Sequence, residues 1–205
     1  MTPQQILLTI GLMLGGYVLG SIPFSFLVAK SRGIDLRTVG SGNVGGSNVW
    51  RNVGFGPFLF AVTGDLLKGT LPTYLAMNLQ LPAYAVVLVG LSAILGHTFS
   101  LFLHFKGGKA VATSGGVLLA MSPLIVAIAL AVWAIVFVTV RISSVASLSG
   151  ALTAVIVATV AYAQGTLPLA YMAFVYIAVA VIFYLHRENI RKLSQGKENR
   201  FSKLF

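Results

Sequence analysis

Long apolar runs alternate along this chain with short polar connections. A helical crossing of a bilayer needs about 20 predominantly apolar residues. Five stretches reach that length: Pro3 to Ala29, Val53 to Leu79, Ala83 to Leu103, Ile142 to Ala163 and Thr166 to Leu185. A sixth, Ala110 to Val140, holds 31 residues, long for one crossing and short for two. No internal repeat of the kind used by alternating-access transporters is visible.

The placement of charge decides how these runs thread a membrane. Thirteen of the fourteen basic residues fall in four places: the loop with Lys30, Arg32, Arg37 and Arg51, the pair Lys106 and Lys109, Arg141, and the tail from Arg187 to Lys203. The connections at Gln80–Pro82 and Gln164–Gly165 carry no charge. Putting every basic loop on the cytoplasmic side requires an even number of crossings between Lys109 and Arg141. Ala110–Val140 is therefore expected to be a hairpin turning near Ser122–Pro123, with a first arm of about 12 residues, roughly 18 Å. The expected fold is all-α: a polytopic membrane protein of seven transmembrane helices, one of them short, with the N-terminus outside and the C-terminus cytoplasmic. Residues 1–205 are expected to form one domain, because no polar stretch is long enough for a second core. The tail should begin as a helix, and Phe201, Leu204 and Phe205 are placed to touch the interface.

Composition supports this reading. Hydrophobic residues make up 57% of the chain and charged residues 9%, against about 25% charged in soluble domains. The net charge of +10 sits in short loops, which fits membrane orientation and anionic or phosphorylated ligands better than nucleic acid. The absence of cysteine removes disulfides and thiolate nucleophiles. The first apolar run lacks a basic n-region and reads as a retained helix.

Three polar clusters carry the candidate chemistry. In Gly40 to Gly54, glycines at 40, 42, 45, 46 and 54 alternate with Ser41, Asn43, Ser47 and Asn48. That pattern makes a poor helix and a good anion cradle, since converging backbone N–H groups and Ser/Asn side chains supply donors. Arg51 follows at a distance that lets it close over a phosphate; the competing reading is a flexible loop. In Gly96 to Gly116, Lys106-Gly107-Gly108-Lys109 joins one span to the next, putting bare amides and a lysine at a helix N-terminus. It is not a Walker A loop, because that spacing is absent and Ala110 stands where Ser/Thr would hold magnesium. His97 and His104, seven apart, are expected on one helix face, and with no acid near them no metal site is expected. In His186 to Arg200, His186 and Asn189 share a face if helical. His186 is either a proton acceptor or a cap on the last helix. Glu198 is expected to pair with Lys197 or Arg200, or to brace a loop. Asp65 and Lys68 form an i,i+3 charged pair inside an apolar span, functional or structural. Ser144 and Ser147 are read as N-capping residues unless the fold brings them to a phosphate site.

These clusters, in this order, resemble the bacterial acyl-phosphate-dependent glycerol-3-phosphate acyltransferases. The family pattern S-G-N-x-G-A-x-N-x-x-R is similar to Ser41 through Arg51, with Gly46 in place of the alanine. The pattern G-H-x-x-x-x-F-x-x-F-K-G-G-K-x-V-A-T is matched from Gly96 to Thr113, with His104 and Ala110 at positions often glycine. The pattern H-x-x-N-I-x-x-L-x-x-G-x-E-x-R is matched from His186 to Arg200. The resemblance implies a seven-helix enzyme of the bacterial inner membrane with a cytoplasmic active site. It also implies transfer of a fatty acyl group from acyl phosphate to the 1-hydroxyl of sn-glycerol 3-phosphate, giving lysophosphatidic acid and inorganic phosphate. That is the first step of bacterial phospholipid synthesis, with no cofactor, metal, CoA or acyl carrier protein. His186 and Asn189 would orient the acceptor, and either His186 or the acyl phosphate would take its proton. Ser41, Ser47, Asn48, Arg51 and Lys109 would hold phosphate and stabilise developing charge. Asn43, Lys106, Lys68, Ser144 and Ser147 would assist binding, and Gly107 and Gly108 would receive the acyl phosphate. The scarcity of acids suits two polyanionic substrates.

Two other chemistries lack their residues. The H-x-x-x-x-D motif of CoA- and carrier-dependent acyltransferases fails, because Phe102, Lys109 and Arg191 lie five residues after the three histidines. A metal-dependent phosphotransferase would need clustered aspartates. A transporter of an organic phosphate is the remaining alternative, and it would place its polar groups near the midplane.

Overall fold

The structure is a computed structural model that describes residues 1–202; Leu204 and Phe205, expected at the interface, lie outside the described residues. The described residues contain helices and no strand, and they divide into two compact units, one ending at Met121 and one beginning at Ser122. The first unit holds α1 (Pro3–Ser21), α2 (Phe24–Lys30), α3 (Gly46–Asn52), α4 (Phe55–Asn78), α5 (Ala83–Thr98) and α6 (Val111–Met121). The second holds α7 (Pro123–Val140), α8 (Ser143–Ala163), α9 (Leu169–Leu185) and α10 (Arg187–Ser194). Four segments are long and apolar enough to cross a membrane, or five if α9 and α10, bent by 55° at His186, count as one.

The apolar runs are where the sequence places them, with instructive exceptions. Thr2 opens α1 with a capping box, its hydroxyl accepting from Gln5 N at 3.2 Å while Gln5 Oε1 accepts from Thr2 N at 3.0 Å. The run expected to continue to Ala29 instead breaks at Ile22–Pro23, because proline has no N–H to continue the ladder. Gly46–Asn52, expected to be irregular, closes into a short helix. The fifth helix ends at Thr98, and a 3-10 turn at Leu101–Leu103 precedes His104 in a left-handed conformation. His97 and His104 therefore do not share a helix. Ala110–Val140 is two helices separated at Ser122, as the sequence indicated, with Pro123 starting the second at a position where its missing N–H costs nothing. Phe201, expected at the interface, is instead buried edge-on against Phe137 at 5.1 Å, with its N–H on the Arg141 carbonyl.

Packing reverses the arrangement of a water-soluble protein. Large side chains such as Leu7, Phe60, Leu124 and Tyr184 are exposed, while Ser25, Asn48, Asp65, Lys68, His97 and His186 are buried. Lipid supplies no driving force between helices, so close association relies on small residues. In the first unit α1 packs along α5 and α4 along α6. A Cβ on Gly20 would strike the Ala93 backbone, and one on Gly96 the Tyr17 carbonyl. The short α6 is held the same way: Gly69 and Gly116 bring it against α4, and Thr70 Oγ1 donates to the Gly116 carbonyl at 2.9 Å.

Adjacent glycines on α6 provide a test of this packing. Gly116→Ala must push into the Leu66 carbonyl and is expected to destabilise by about 1–3 kcal/mol. Gly115→Ala meets nothing within 4 Å and should be neutral or slightly stabilising. Thermal unfolding of both variants in the same detergent gives the comparison, and equal midpoints would rule out close α4–α6 packing as the cause.

Candidate active site

The loop before α3 is built around one amide. Asn48 is 1% exposed, and its Nδ2 donates to the carbonyls of Leu36, Val39 and Asn43 at 3.0–3.1 Å. Its Oδ1 accepts from Ser41 N at 3.1 Å and Asn52 Nδ2 at 2.9 Å. Asn48, expected to touch phosphate, is thus the internal brace that shapes the cradle. Gly40 and Gly42 have positive φ, as the turn requires. Beneath lies a small apolar cluster of Ala29, Leu36, Val49 and Ala61. Ser41, Asn43, Ser47 and Arg51 are half-buried around this brace. Asn43 Oδ1 is buried without a hydrogen-bond partner among the described residues. Upstream, the Arg37 guanidinium beside Asp35, 2.6 Å away, holds that carboxyl down at about 2.

The charged pair of α4 turns inward. Lys68 Nζ meets Asp65 Oδ1 at 2.7 Å and donates to the Ile22 carbonyl at 2.8 Å, which the break before Pro23 releases from the helix ladder. Ser25 Oγ donates to Asp65 Oδ2 at 2.6 Å, and Thr113 Oγ1 to the Asp65 carbonyl at 2.9 Å. Lys68, expected among the phosphate cations, is therefore engaged within the unit. His97 Nδ1 lies 3.7 Å from Asp65 Oδ1. An acid thus does stand beside this histidine, a juxtaposition hidden by 32 residues of separation.

The turn from Lys106 to Lys109 is folded differently from its expected form. The amides of Gly107 and Gly108 are not bare: they donate to the carbonyls of Thr98 at 2.9 Å and His97 at 3.1 Å. Both must be glycine because a Cβ at 107 would strike the His97 carbonyl and one at 108 the His97 ring. Lys106 is exposed, Lys109 is half-buried, and α6 begins two residues after Lys109.

The second unit carries its own polar set. His186 ends α9, and its Nδ1 lies 2.8 Å from the Ile182 carbonyl. A carbonyl only accepts, so Nδ1 carries the hydrogen and Nε2 is the basic nitrogen of the neutral ring. The hydrogen bond to the Ile182 carbonyl thus fixes the tautomer of the neutral ring. Glu198 Oε1 accepts from Asn189 Nδ2 at 2.6 Å and Ser144 Oγ at 2.8 Å. Glu198 is a brace that links α10, α8 and the tail. Ser144 and Ser147 do not cap α8, whose N-cap is Ile142; Ser147 Oγ instead accepts from Trp133 Nε1 at 3.4 Å. Sequence reasoning left Ser25, His97 and Thr113 out of the site, although His97 and Thr113 stand at fixed positions of the second motif; nothing in the sequence pointed to Ser25.

Comparison with known proteins converges on one family. Residues 10–196 match the family described as glycerol-3-phosphate acyltransferase. A glycerol-3-phosphate acyltransferase of Roseiflexus sp. is 56% identical over 197 residues, covering 96% of this chain and 97% of the relative. That of Geotalea daltonii is 42% identical over 94% and 97%. The crystal structure of PlsY, described as an integral membrane glycerol 3-phosphate acyltransferase in its glycerol 3-phosphate form, has a TM-score of 0.88 at 37% identity, covering 96% of each chain. Its lysophosphatidic acid form gives a TM-score of 0.86 at 35% identity over the same share of each chain.

The inward-turned ion pair makes its own prediction. Lys68→Met leaves the Asp65 carboxylate buried without its counter-charge, at a cost of about 3–5 kcal/mol. The double variant Asp65→Asn/Lys68→Met removes both charges and should recover most of that loss in thermal unfolding. If the double variant is no more stable than the single one, charge compensation is not what holds α4 in place.

Proposed function

Because the chain belongs to the glycerol-3-phosphate acyltransferase family, we propose that it transfers a fatty acyl group from acyl phosphate to the 1-hydroxyl of sn-glycerol 3-phosphate. The products are 1-acyl-glycerol 3-phosphate and inorganic phosphate. The observation that carries this reading is the family match across residues 10–196, which includes the first two polar clusters and the third from His186 to Gly196. It also sets aside the transporter alternative.

Transfer proceeds in one step. The acceptor oxygen attacks the acyl carbonyl carbon, the carbon–oxygen bond to phosphate breaks, and phosphate leaves with the bonding pair. No acyl-enzyme is formed, since a serine nucleophile needs an adjacent base and, among the described residues, Ser41 Oγ is set against a backbone N–H, that of Asn43. His186 Nε2 takes the hydroxyl proton, and Asn189, set by Glu198, helps orient the glycerol phosphate. In the first unit Arg51, Lys106 and Lys109 supply positive charge, and Ser41 and Ser47 supply hydroxyl donors. Asn43 Oδ1 offers an acceptor for a glycerol hydroxyl. Asn48, Lys68, Gly107 and Gly108 act through the shapes they impose, while Ser144 supports Glu198 and Ser147 accepts from Trp133.

The chain is an all-helical, multi-pass membrane protein. Its seven crossings are α1 with α2, then α4, α5, the short α6, α7, α8 and α9, with the N-terminus outside and the tail in the cytoplasm. This arrangement in the bacterial cytoplasmic membrane puts the basic loops and the chemistry on the cytoplasmic side.

Two measurements test this reading. Purified protein in detergent should release phosphate from palmitoyl phosphate only when glycerol 3-phosphate is present, without added metal or CoA. His186→Ala should slow that release at least about 100-fold; wild-type turnover would assign the proton to the leaving phosphate instead. The cysteine-free chain suits topology mapping: Thr2→Cys should react with an impermeant maleimide on intact spheroplasts, and Ser202→Cys only after permeabilisation. The opposite labelling pattern would invert the topology.

A further inference from the structure

Asp65 and His97 take no part in the reaction outlined above, yet they stand directly behind the turn that precedes Lys109. The His97 side chain is 8% exposed and bridges two features. Its Nδ1 faces Asp65 Oδ1 at 3.7 Å and has no hydrogen-bond partner among the described residues. The far edge of the ring lies over Gly108, where a Cβ would strike Nε2. The main chain repeats the contact, since the carbonyls of His97 and Thr98 accept the N–H groups of Gly108 and Gly107. Asp65, Lys68, His97, Gly107 and Gly108 line one cavity of about 10 Å³, room for about one water, so the imidazole is closely confined.

We infer that His97 is a positioning residue for the acyl donor: wedged between Asp65 and Gly108, its ring sets the position of the Lys106–Lys109 turn that receives the donor phosphate. The ring acts as a strut, supported from below by a carboxylate that Ser25 and Lys68 hold in place. Shortening the strut lets the turn sink and carries Lys109 out of register with the phosphate. This inference rests on the acyltransferase reading and on donor binding at that turn.

The experiment is a kinetic cycle with wild type, His97→Ala, Gly108→Ala and the double variant, measuring kcat and both KM values. His97→Ala should raise KM for palmitoyl phosphate roughly tenfold or more, while KM for glycerol 3-phosphate stays at its wild-type value. Gly108→Ala should also raise the donor KM, because its methyl group displaces the turn from the ring. In the double variant the methyl enters the space left by the imidazole, so its donor KM should be no worse than that of His97→Ala alone. If His97→Ala does not fold, His97→Asn serves in its place with the same expected direction. Wild-type KM values in the position-97 variant, equal increases for both substrates, or effects that multiply in the double variant would each overturn the inference. A wild-type protein that releases no phosphate would instead overturn the acyltransferase reading.

Discussion

The first unit is organised around the burial of one ammonium group. A lysine buried away from water costs several kcal/mol unless its charge and donors are met, and Lys68 is 1% exposed. Its carboxylate partner lies one turn away on the same helix, but its other acceptor, the Ile22 carbonyl, exists because α1 breaks at Pro23. Ser25, just past the break, donates to Asp65, and Thr113 fastens α6 to the carbonyl of the same residue. One charge thus determines how α1, α2, α4 and α6 meet. Removing any one of these partners would leave a polar atom unsatisfied in a place that water does not reach readily.

Motif residues divide into those that shape a site and those able to touch a ligand. Asn48 and Glu198 are braces, the first gathering five polar partners around its loop and the second joining Asn189 to Ser144. Gly107 and Gly108 fit closely under two carbonyls. Cationic reach is left to Arg51, Lys106 and Lys109. With only four acids in the chain, two of them, Asp65 and Glu198, serve as internal anchors.

Much of the fold was legible from hydropathy, because runs of about 20 apolar residues are what a bilayer demands. The break at Ser122–Pro123 and the Asp65–Lys68 spacing were visible for similar local reasons. The break at Ile22–Pro23 was not, since hydropathy is blind to a missing N–H inside an apolar run. The early end of α5 was hidden in the same way, because Phe99 to Leu103 is as apolar as the helix before it. The site's residue types were readable, but their partners were not. Ser25 and Asp65 are 40 residues apart, and Ser144 and Glu198 are 54 apart, distances at which only the tertiary fold decides who meets whom.

The break at Ile22–Pro23 also has a meaning in time. A chain is made from its N-terminus, so the carbonyl of Ile22 and the hydroxyl of Ser25 exist before Asp65 and Lys68 leave the ribosome. When α4 is made, the acceptor for its lysine and the donor for its aspartate are already there, and the pair can arrive with its charges matched. His97 and Thr113 come later and close over a charge that is already settled. A helix interruption that looks like a defect after α1 thereby acts as a docking point for the charged pair of α4.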